Sequence, residues 1–428
     1  MKVAFFTLGC KVNLYETEVV INQFKSKGYK ITDFNDVADI YIINTCTVTN
    51  TSDQKSRKMI RQAIGRNKKA VIAVMGCYSQ IESEKLEEIE GIDIIIGNKD
   101  KSKIIDYIEE VYLIKKKIKR IYSLAESVFE DMELDNFETK TRAFIKIQDG
   151  CNSYCSYCII PFVRGPVRSR KKENILKEIN SLVTKGYLEI VLTGIHIGKY
   201  GSDFNNYYLS DLLKDILKNE KIKRVRISSI EINEIDNSVL ELLKTEKVIA
   251  NHLHIPIQSG SDEILTKMNR QYNTEIVIAK IKKIREIRPD IAITTDIIVG
   301  FPTETDEDFN KTYFIAEKIG FSDIHIFSYS KRNKTKAATM PNHIDKIVKK
   351  ERITKLNSLR KKLQQNYMKK FIEKEVFVIP ETYNKGYLIG YSSNYLKVKY
   401  KGKKEEIGNL TSVIIKKVDD NLCWAIKN

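Results

Sequence analysis

The feature that most constrains how this chain can fold is the alternation of short apolar strand patterns with amphipathic helix patterns. Near the start of the chain, buried-strand patterns occur at residues 2–8, 38–44, 70–75 and 92–96. Helical periodicity separates them, at residues 14–27, 53–66 and 82–89. Because strands that alternate with helices form βαβ units, the sequence predicts an α/β domain with an open parallel sheet here.

A second series of the same kind follows. Its predicted strands lie near residues 143–147, 189–193, 224–228, 252–257, 291–299 and 323–329. Its helical patterns include residues 173–185, 209–218, 275–287 and 307–319. Six such units predict a curved, incomplete relative of the eightfold barrel, a partial (β/α)6 barrel. Sites of such folds gather at the C-terminal ends of the strands.

The last part of the chain has a different pattern. After a basic helix over about 345–373, short strands are predicted at residues 376–379, 387–390, 395–400, 412–417 and 422–426. Turn sequences between them favour a small β-barrel of the kind that binds oligonucleotides. The predicted organisation is therefore a first domain over 1–113, a linker over 114–136, a central domain over 137–370 and a barrel over 371–428.

Three cysteines of the first domain stand at equivalent places in the pattern. Cys10, Cys46 and Cys77 each fall at or just past the carboxyl end of a predicted strand. Since these ends lie along one edge of an open parallel sheet, the three thiols are predicted to converge. Buried apolar cysteines of a core are the alternative interpretation.

Three more cysteines lie on one short loop after the first strand of the second series. Cys151, Cys155 and Cys158 have Cys-x3-Cys-x2-Cys spacing, which can hold three irons of a 4Fe-4S cluster and leave the fourth iron open. A structural zinc site would require a fourth close ligand, and the nearest histidine in the sequence is His196. A disulfide framework fits less well, because seven cysteines in a long chain indicate a reducing compartment.

Basic residues are concentrated rather than evenly spread. Of a net charge of +17, the segment 328–370 carries 14 Lys/Arg against two acidic residues, and 115–120 adds a second basic cluster. Localised positive charge favours a polyanionic partner, although solvated surface lysines explain the charge equally well. No apolar run approaches the roughly 18 residues of a membrane helix, so no membrane partner is expected.

These motifs together resemble a known family. The Cys151 loop looks like that of the radical S-adenosylmethionine superfamily. The three N-terminal cysteines, together with Leu-Thr-Gly at 192–194, Arg-Ile-Ser-Ser-Ile-Glu at 226–231, and the motifs at 254–261 and 296–304, resemble the methylthiotransferase family. The resemblance covers essentially the whole chain, and the C-terminal barrel resembles the RNA-binding TRAM domain.

The resemblance implies specific roles for the cysteines. Cys151, Cys155 and Cys158 would hold the 4Fe-4S cluster that cleaves S-adenosylmethionine. The three N-terminal cysteines would hold a second, auxiliary 4Fe-4S cluster that carries the sulfur to be transferred. Members insert sulfur into an unactivated C–H bond and methylate it.

The resemblance also suggests five cofactor-binding residues. Gly194 would let backbone groups approach the methionyl part of S-adenosylmethionine, and Gly300 would do so near its adenine. Gln258, Glu231 and Asp296 lie at or near strand ends and would address ribose, amino or substrate groups. The alternative is that they are polar residues of loops.

The substrate is suggested by a short segment around the first cysteine. Thr-Leu-Gly-Cys-Lys-Val-Asn at 7–13, followed by Glu16, resembles the branch that methylthiolates N6-threonylcarbamoyladenosine in tRNA. The branches that act on isopentenyladenosine in tRNA or on a ribosomal-protein aspartate are the alternatives. Barrel tyrosines could stack on bases, although some of them must be core; they are Tyr387, Tyr391, Tyr395 and Tyr400.

The resemblance further implies an electron donor such as a flavodoxin or ferredoxin, an unidentified sulfur donor and a cytoplasmic location. A protein of another class, a non-catalytic iron-sulfur protein that binds RNA, also explains the basic segment and the barrel. It does not explain why each cysteine set has three members, because such clusters are normally closed by a fourth ligand.

Two departures from the family pattern are Ile232, where Pro usually stands, and a missing Pro-Gly-Thr-Pro turn at 331–336, where extra lysines would contact phosphate.

Overall fold

The structure is a computed structural model that describes residues 1–134, 136–137 and 141–428. It confirms the predicted fold class: an α/β unit with a parallel sheet, a partial barrel and a small closed β-barrel follow one another along the chain. The expected boundary between linker and central domain, at 136/137, adjoins residues 135 and 138–140, which lie outside the described part.

The first unit is a parallel sheet covered by helices. Its strands are β1 (Lys2–Thr7), β2 (Lys30–Thr32), β3 (Ile40–Thr45), β4 (Val71–Gly76), β5 (Ile94–Ile96) and β6 (Ile118–Arg120). Its helices are α1 (Lys11–Ser26), α2 (Asn50–Arg66), α3 (Cys77–Ile81), α4 (Ser83–Glu87) and α5 (Ile104–Ile114).

The sheet order is β2-β1-β3-β4-β5-β6, with parallel pairing throughout. Every residue of β3 and β4 is buried, as expected of central strands covered by helices on both faces. The edge strands β2 and β6 were not predicted, because three residues with charged neighbours give no apolar run. The sheet thus continues past residue 113, where the first domain was expected to end.

The central unit contains the second βα series. Its strands are β7 (Ala143–Lys146), β8 (Gln148–Asp149), β9 (Arg168–Ser169), β10 (Glu189–Thr193), β11 (Arg224–Ile227), β12 (His252–His254), β13 (Ala292–Val299) and β14 (Asp323–Ser328). Its helices are α6 (Ile160–Arg164), α7 (Lys172–Thr184), α8 (Leu209–Leu217), α9 (Asn237–Thr245), α10 (Asp262–Lys267), α11 (Thr274–Ile287), α12 (Asp306–Ile319) and α13 (Lys346–Lys369).

Two parallel sheets, β7-β10-β11 and β12-β13-β14, form the curved wall of this unit. Parallel bridges between Val225 and Ile249 and between Ser229 and His254 join them, so six strands follow one another as in a partial barrel. The loops after these strands face the first unit, which places the second set of cysteines beside the first sheet.

The third unit is a closed barrel of five strands in the order β15-β16-β17-β19-β18. These strands are β15 (Glu375–Asn384), β16 (Tyr387–Ser392), β17 (Lys397–Lys401), β18 (Thr411–Asp419) and β19 (Leu422–Lys427). Buried Glu189 of the central unit pairs with Arg224 and Arg226. The same two arginines join the central unit to the third one, because Arg224 donates to the backbone oxygen of Phe377 and Arg226 to that of Ser392. Among the described helices, none is long and apolar enough to cross a membrane.

Candidate active site

The three N-terminal cysteines meet at the carboxyl edge of the first sheet. Cys10 is the N-cap of α1, Cys46 directly follows β3, and Cys77 is the first residue of α3. A Cβ atom on Gly9, whose φ is +102°, would lie 3.1 Å from the Sγ atom of Cys46, so this turn requires glycine. Burial, with the nearby Cys77 and Cys10 thiols, raises the pKa of Cys46 to about 11. The convergence agrees with the strand-end argument.

A buried arginine that the sequence analysis did not single out lies against this set. Arg164, at the end of α6, donates from Nε to Cys77 Sγ over 3.2 Å. It also donates from Nη2 to Asn13 Oδ1 over 2.5 Å. Asn98 Nδ2 is a further donor to Cys77 Sγ, at 3.5 Å. Two donors directed at one sulfur hold the Cys77 side chain in position within the set.

Further charged side chains surround Arg164. Its Nη1 donates to Glu16 Oε1 over 2.6 Å and to Asp149 Oδ2 over 3.2 Å. Lys146 also pairs with both carboxylates, and Lys101 pairs with Glu16. Arg168 Nη2 also lies 3.8 Å from Asp149 Oδ2, so this group of ion pairs contains four cations and two carboxylates. Because unbalanced buried charge is costly, an anionic sulfur ligand beside Arg164 would balance it.

The second set of thiols lies on the loop between β8 and α6. Cys151 Sγ is 3.3 Å from His196 Nδ1, and Cys155 Sγ accepts from Arg270 Nη1 over 3.2 Å. Burial raises the pKa of Cys158 to about 12, and the adjacent Cys155 and Cys151 thiols contribute. Burial would likewise raise the pKa of Cys151, but the contacts with His196 and the Ser153 amide lower it below its ordinary value.

His196 is a hydrogen-bonding neighbour of this loop. Its Nδ1 faces the sulfur of Cys151, and its Nε2 lies 2.6 Å from Glu234 Oε1. The remaining thiol, Cys423, is buried in the core of the third unit, as expected. Each set offers three thiols, the number that can hold three irons of a 4Fe-4S cluster and leave the fourth iron open.

A central cleft of about 760 Å³ lies where the three units meet. The first unit contributes Cys10 and Lys11, the partial barrel contributes Gly194 and Asp296, and the third unit contributes Tyr395. The volume is within the range of about 300–1,000 Å³ that suits a small-molecule or nucleoside-sized group. Cys10 thus faces a space that is large enough for a substrate.

Charged groups line the interior of this cleft. His254 Nε2 and His325 Nδ1 lie 3.3 and 3.1 Å from Asp296 Oδ1. Burial opposes ionisation of Asp296, but the two imidazoles hold its pKa at about 2, so the carboxylate is charged at neutral pH. Arg360 makes two contacts with Asp323. Burial lowers the pKa of Lys11.

A second cavity, of about 510 Å³, adjoins the Cys151 loop. It is lined by Cys155, His196 and Glu231, and Arg270 Nη1 donates to Glu231 over 2.8 Å. Gly194 lines the central cleft and His196 lines this cavity, so their common loop borders both.

The five expected cofactor residues are therefore distributed. Glu231 lies beside Cys155, whereas Gly194 and Asp296 line the central cleft. Gln258 has a φ of +65° and pairs with Ile297 by its backbone, next to Asp296. Gly300 packs under α13, where a Cβ would lie 2.3 Å from a side-chain carbon of Lys349. Neither Gln258 nor Gly300 lines the two cavities.

Some basic residues have structural roles that the sequence did not reveal. Arg332 is buried and donates to Thr47, Asn50 and Asp53 of the first unit, next to Cys46. Arg352 is buried against Glu304. The expectation that the basic segment is available for phosphate is therefore wrong for these two guanidinium groups, because carboxylates already hold them.

The departure at Ile232 and the four barrel tyrosines can now be placed. Ile232 is buried and begins a short 3-10 turn, Ile232–Glu234, which brings Glu234 to His196. Tyr391 and Tyr395 line the central cleft, whereas Tyr400 is in the barrel core. Tyr387 packs edge-on against Trp424.

Comparisons with known families and structures agree with this site. The Radical SAM superfamily matches residues 145–316, and the family described as "Uncharacterized protein family UPF0004" matches residues 2–97. The structure of the radical S-adenosylmethionine methyltransferase TsrM from Kitasatospora setae, with cobalamin and a [4Fe-4S] cluster bound, has a TM-score of 0.57 at 13% identity. The similarity covers 79% of this chain and 74% of that one, and shows the fold. Fold and cysteine loop together define a radical S-adenosylmethionine protein.

Curated relatives narrow the class. The chain is 44% identical to the threonylcarbamoyladenosine tRNA methylthiotransferase MtaB of Bacillus subtilis, over 97% of this chain and 94% of that protein. It is 40% identical to the Aquifex aeolicus MtaB, over 97% of this chain and all of the other. It is 34% identical to the tRNA-2-methylthio-N(6)-dimethylallyladenosine synthase of Bacillus subtilis, over 98% of this chain and 84% of that protein. The chain belongs to the methylthiotransferase family of radical S-adenosylmethionine enzymes, which use S-adenosylmethionine and two 4Fe-4S clusters.

Proposed function

We propose that this protein adds a methylthio group to C2 of N6-threonylcarbamoyladenosine in tRNA. The observation that carries the proposal is that one thiol of each three-cysteine set lines one of two cavities that share a bordering loop: Cys10 lines the central cleft and Cys155 the second cavity. The high identity to MtaB proteins over nearly the whole chain supports the substrate. Members of the isopentenyladenosine branch match the chain at lower identity.

We assign the two cysteine sets to the two clusters. Cys151, Cys155 and Cys158 hold the cluster next to the second cavity, and Cys10, Cys46 and Cys77 hold the auxiliary cluster at the central cleft. When bound, the clusters and S-adenosylmethionine supply radical formation, hydrogen abstraction and the methylthio group. The chain itself supplies positioning, because a nucleoside in the cleft would lie between the two thiol sets.

Other residues bind and orient. The loop that contains Gly194 and His196 borders both cavities, which suits a cofactor whose methionine end approaches the Cys151 set. Glu231 would contact that end of the cofactor. We assign Asp296, Gln258 and Gly300 to the opposite side, toward its ribose and adenine. Arg164 donates a hydrogen bond to Cys77 Sγ and so positions this cysteine for metal binding.

We further propose that the first unit carries the auxiliary cluster, that the partial barrel carries radical chemistry, and that the C-terminal barrel binds RNA. An acidic one-electron donor such as a flavodoxin or ferredoxin would reduce the Cys151-side cluster, and a sulfur donor not yet identified would rebuild the auxiliary one. A tRNA substrate and seven unpaired thiols favour the cytoplasm.

The experiment uses tRNA from cells with and without the gene, digested to nucleosides and analysed by mass spectrometry. Methylthio-threonylcarbamoyladenosine should be present only in the first, with unmodified threonylcarbamoyladenosine accumulating in the second. Anaerobically reconstituted protein should also release 5′-deoxyadenosine. A non-catalytic iron-sulfur protein would bind tRNA and release none.

A further inference from the structure

The ionised groups of the central cleft do not balance one another. Asp323 is paired with Arg360, and Asp296 is shared by His254 and His325. Two ammonium groups on the cleft wall, those of Lys11 and Lys397, have no carboxylate within ion-pair distance in the described part of the chain. The cleft therefore presents uncompensated positive charge to a ligand.

Of these two, Lys11 is the one that directly follows an N-terminal thiol in the sequence. It lies in the first turn of α1, directly after Cys10, and is half-buried. Its Nζ atom is 3.4 Å from the hydroxyl of Ser228, a neutral and weakly placed partner. By contrast, the buried ammonium of Lys101 in the same unit pairs with the carboxylate of Glu16. A partly desolvated cation that lacks an anion in the protein is suited to an anion from the ligand.

The substrate of the proposed reaction carries such an anion. A threonylcarbamoyl group on N6 ends in a carboxylate, whereas a dimethylallyl group is uncharged. In adenine, N6, N1 and C2 lie along one edge of the ring, so a substituent on N6 flanks the edge that contains the reacting C2 atom. A group that binds the carboxylate should thus stand close to the auxiliary thiols, and Lys11 follows one of them in the sequence.

We propose that the ammonium group of Lys11 binds the threonyl carboxylate of the substrate and makes the cleft selective for a charged N6 substituent. The proposal rests on the proposed function, since it concerns how the same cleft recognises its nucleoside. Lys11 is a substrate-binding residue in this assignment, and Ser228 holds its ammonium group toward the cleft in the absence of substrate.

The test combines a change in the enzyme with a change in the substrate. Three reconstituted proteins are assayed with anticodon stem-loops: the wild type, Lys11→Gln and the control Lys25→Gln. Lys25 is an exposed lysine on the same helix as Lys11. One stem-loop carries N6-threonylcarbamoyladenosine and the other carries its methyl ester, which removes the negative charge. Affinity is measured by fluorescence anisotropy, and methylthiolation by mass spectrometry.

Wild type and Lys25→Gln should bind the acid about ten- to a hundredfold more tightly than the ester, as expected for a hydrogen bond to a charged group. Lys11→Gln should bind acid and ester equally, with a higher KM for the acid. Iron content near the wild-type value shows that the variant retains its clusters. If iron is lost, Lys397→Gln, a change in the other unpaired ammonium group of the cleft, is tested instead, and it must keep the wild-type preference for acid over ester if Lys11 binds the carboxylate.

Two results would overturn the assignment: equal wild-type affinity for acid and ester, or a Lys11→Gln enzyme that keeps the wild-type preference. Failure of the proposed function gives a different result. In that case, wild-type enzyme with full iron content would methylthiolate neither stem-loop, while an anticodon stem-loop with another modified adenosine would react.

Discussion

Replacing Arg164 with methionine should destabilise the protein and weaken metal binding by the N-terminal cysteines. Methionine has a similar length and removes the charge and all donors. The change deletes hydrogen bonds to Cys77, Asn13, Glu16 and Asp149, all of them buried or enclosed. Because these hydrogen bonds join the first unit to the central one, their loss should destabilise both units.

The expected size follows from the partners that remain. Removing one member of a buried ion pair costs about 3–5 kcal/mol when its partner is left alone. Here Glu16 keeps Lys101 and Lys146, and Asp149 keeps Lys146. The loss should therefore lie at the low end, about 3 kcal/mol. With a urea m-value of about 3 kcal/mol/M for a chain of this size, the unfolding midpoint would fall by about 1 M.

Metal-free protein tests this stability term separately from metal binding. Arg164→Lys is the matched control, because it keeps the charge but loses the forked donors, and its midpoint should lie between the other two. For metal binding, Arg164→Met is introduced into a chain in which Cys151, Cys155 and Cys158 are replaced by alanine. That chain should hold less iron than its counterpart with arginine, because Cys77 loses its cationic partner. A midpoint within about 0.2 M of wild type, together with unchanged iron content, would refute the reasoning.

Three further predictions concern other parts of the site. Cys151→Ala should abolish release of 5′-deoxyadenosine, whereas Cys46→Ala should keep it and lose sulfur insertion; a Cys46→Ala enzyme that still methylthiolates tRNA would contradict the division of roles. Arg332→Ala should lower the unfolding free energy by about 3 kcal/mol and reduce sulfur insertion more than cofactor cleavage, because the hydrogen bonds of Arg332 hold the segment after Cys46. Arg332→Lys should recover part of the stability and part of the sulfur insertion. Equal loss of sulfur insertion and cofactor cleavage would argue against a local effect. Burial opposes the ionisation of Glu189, but the flanking arginines lower the pKa of its carboxyl group below the ordinary value of 4.5. The ionised carboxylate therefore stabilises the folded protein above about pH 4.5, and this contribution is lost as the pH falls through the lowered pKa. Glu189→Gln should cost about 3 kcal/mol at pH 7 and flatten the acid limb of a stability profile, and an unchanged profile would exclude this role for Glu189.

Local patterns were sufficient to find most of the elements. The strand expected at 189–193 is observed as Glu189–Thr193, and the helix expected at 275–287 as Thr274–Ile287. The helix expected at 82–89 is observed over the shorter range Ser83–Glu87, whereas the short helix before it, Cys77–Ile81, was not predicted. Periodicity does not detect helices of five residues or edge strands of three, because so few positions contain no full repeat.

The sequence by itself determined the fold class, the cysteine loop and the convergence of Cys10, Cys46 and Cys77. Strand alternation places carboxyl ends on one edge, and metal-binding spacing is a property of a few consecutive residues. Only the tertiary structure decided which charges are paired. Arg164 meets Glu16 across 148 positions of sequence, and Arg332 meets Asp53 across 279. Lys11 stays without a carboxylate partner among the described residues. Whether a cation is neutralised depends on residues brought together from distant parts of the chain, and no local pattern records them.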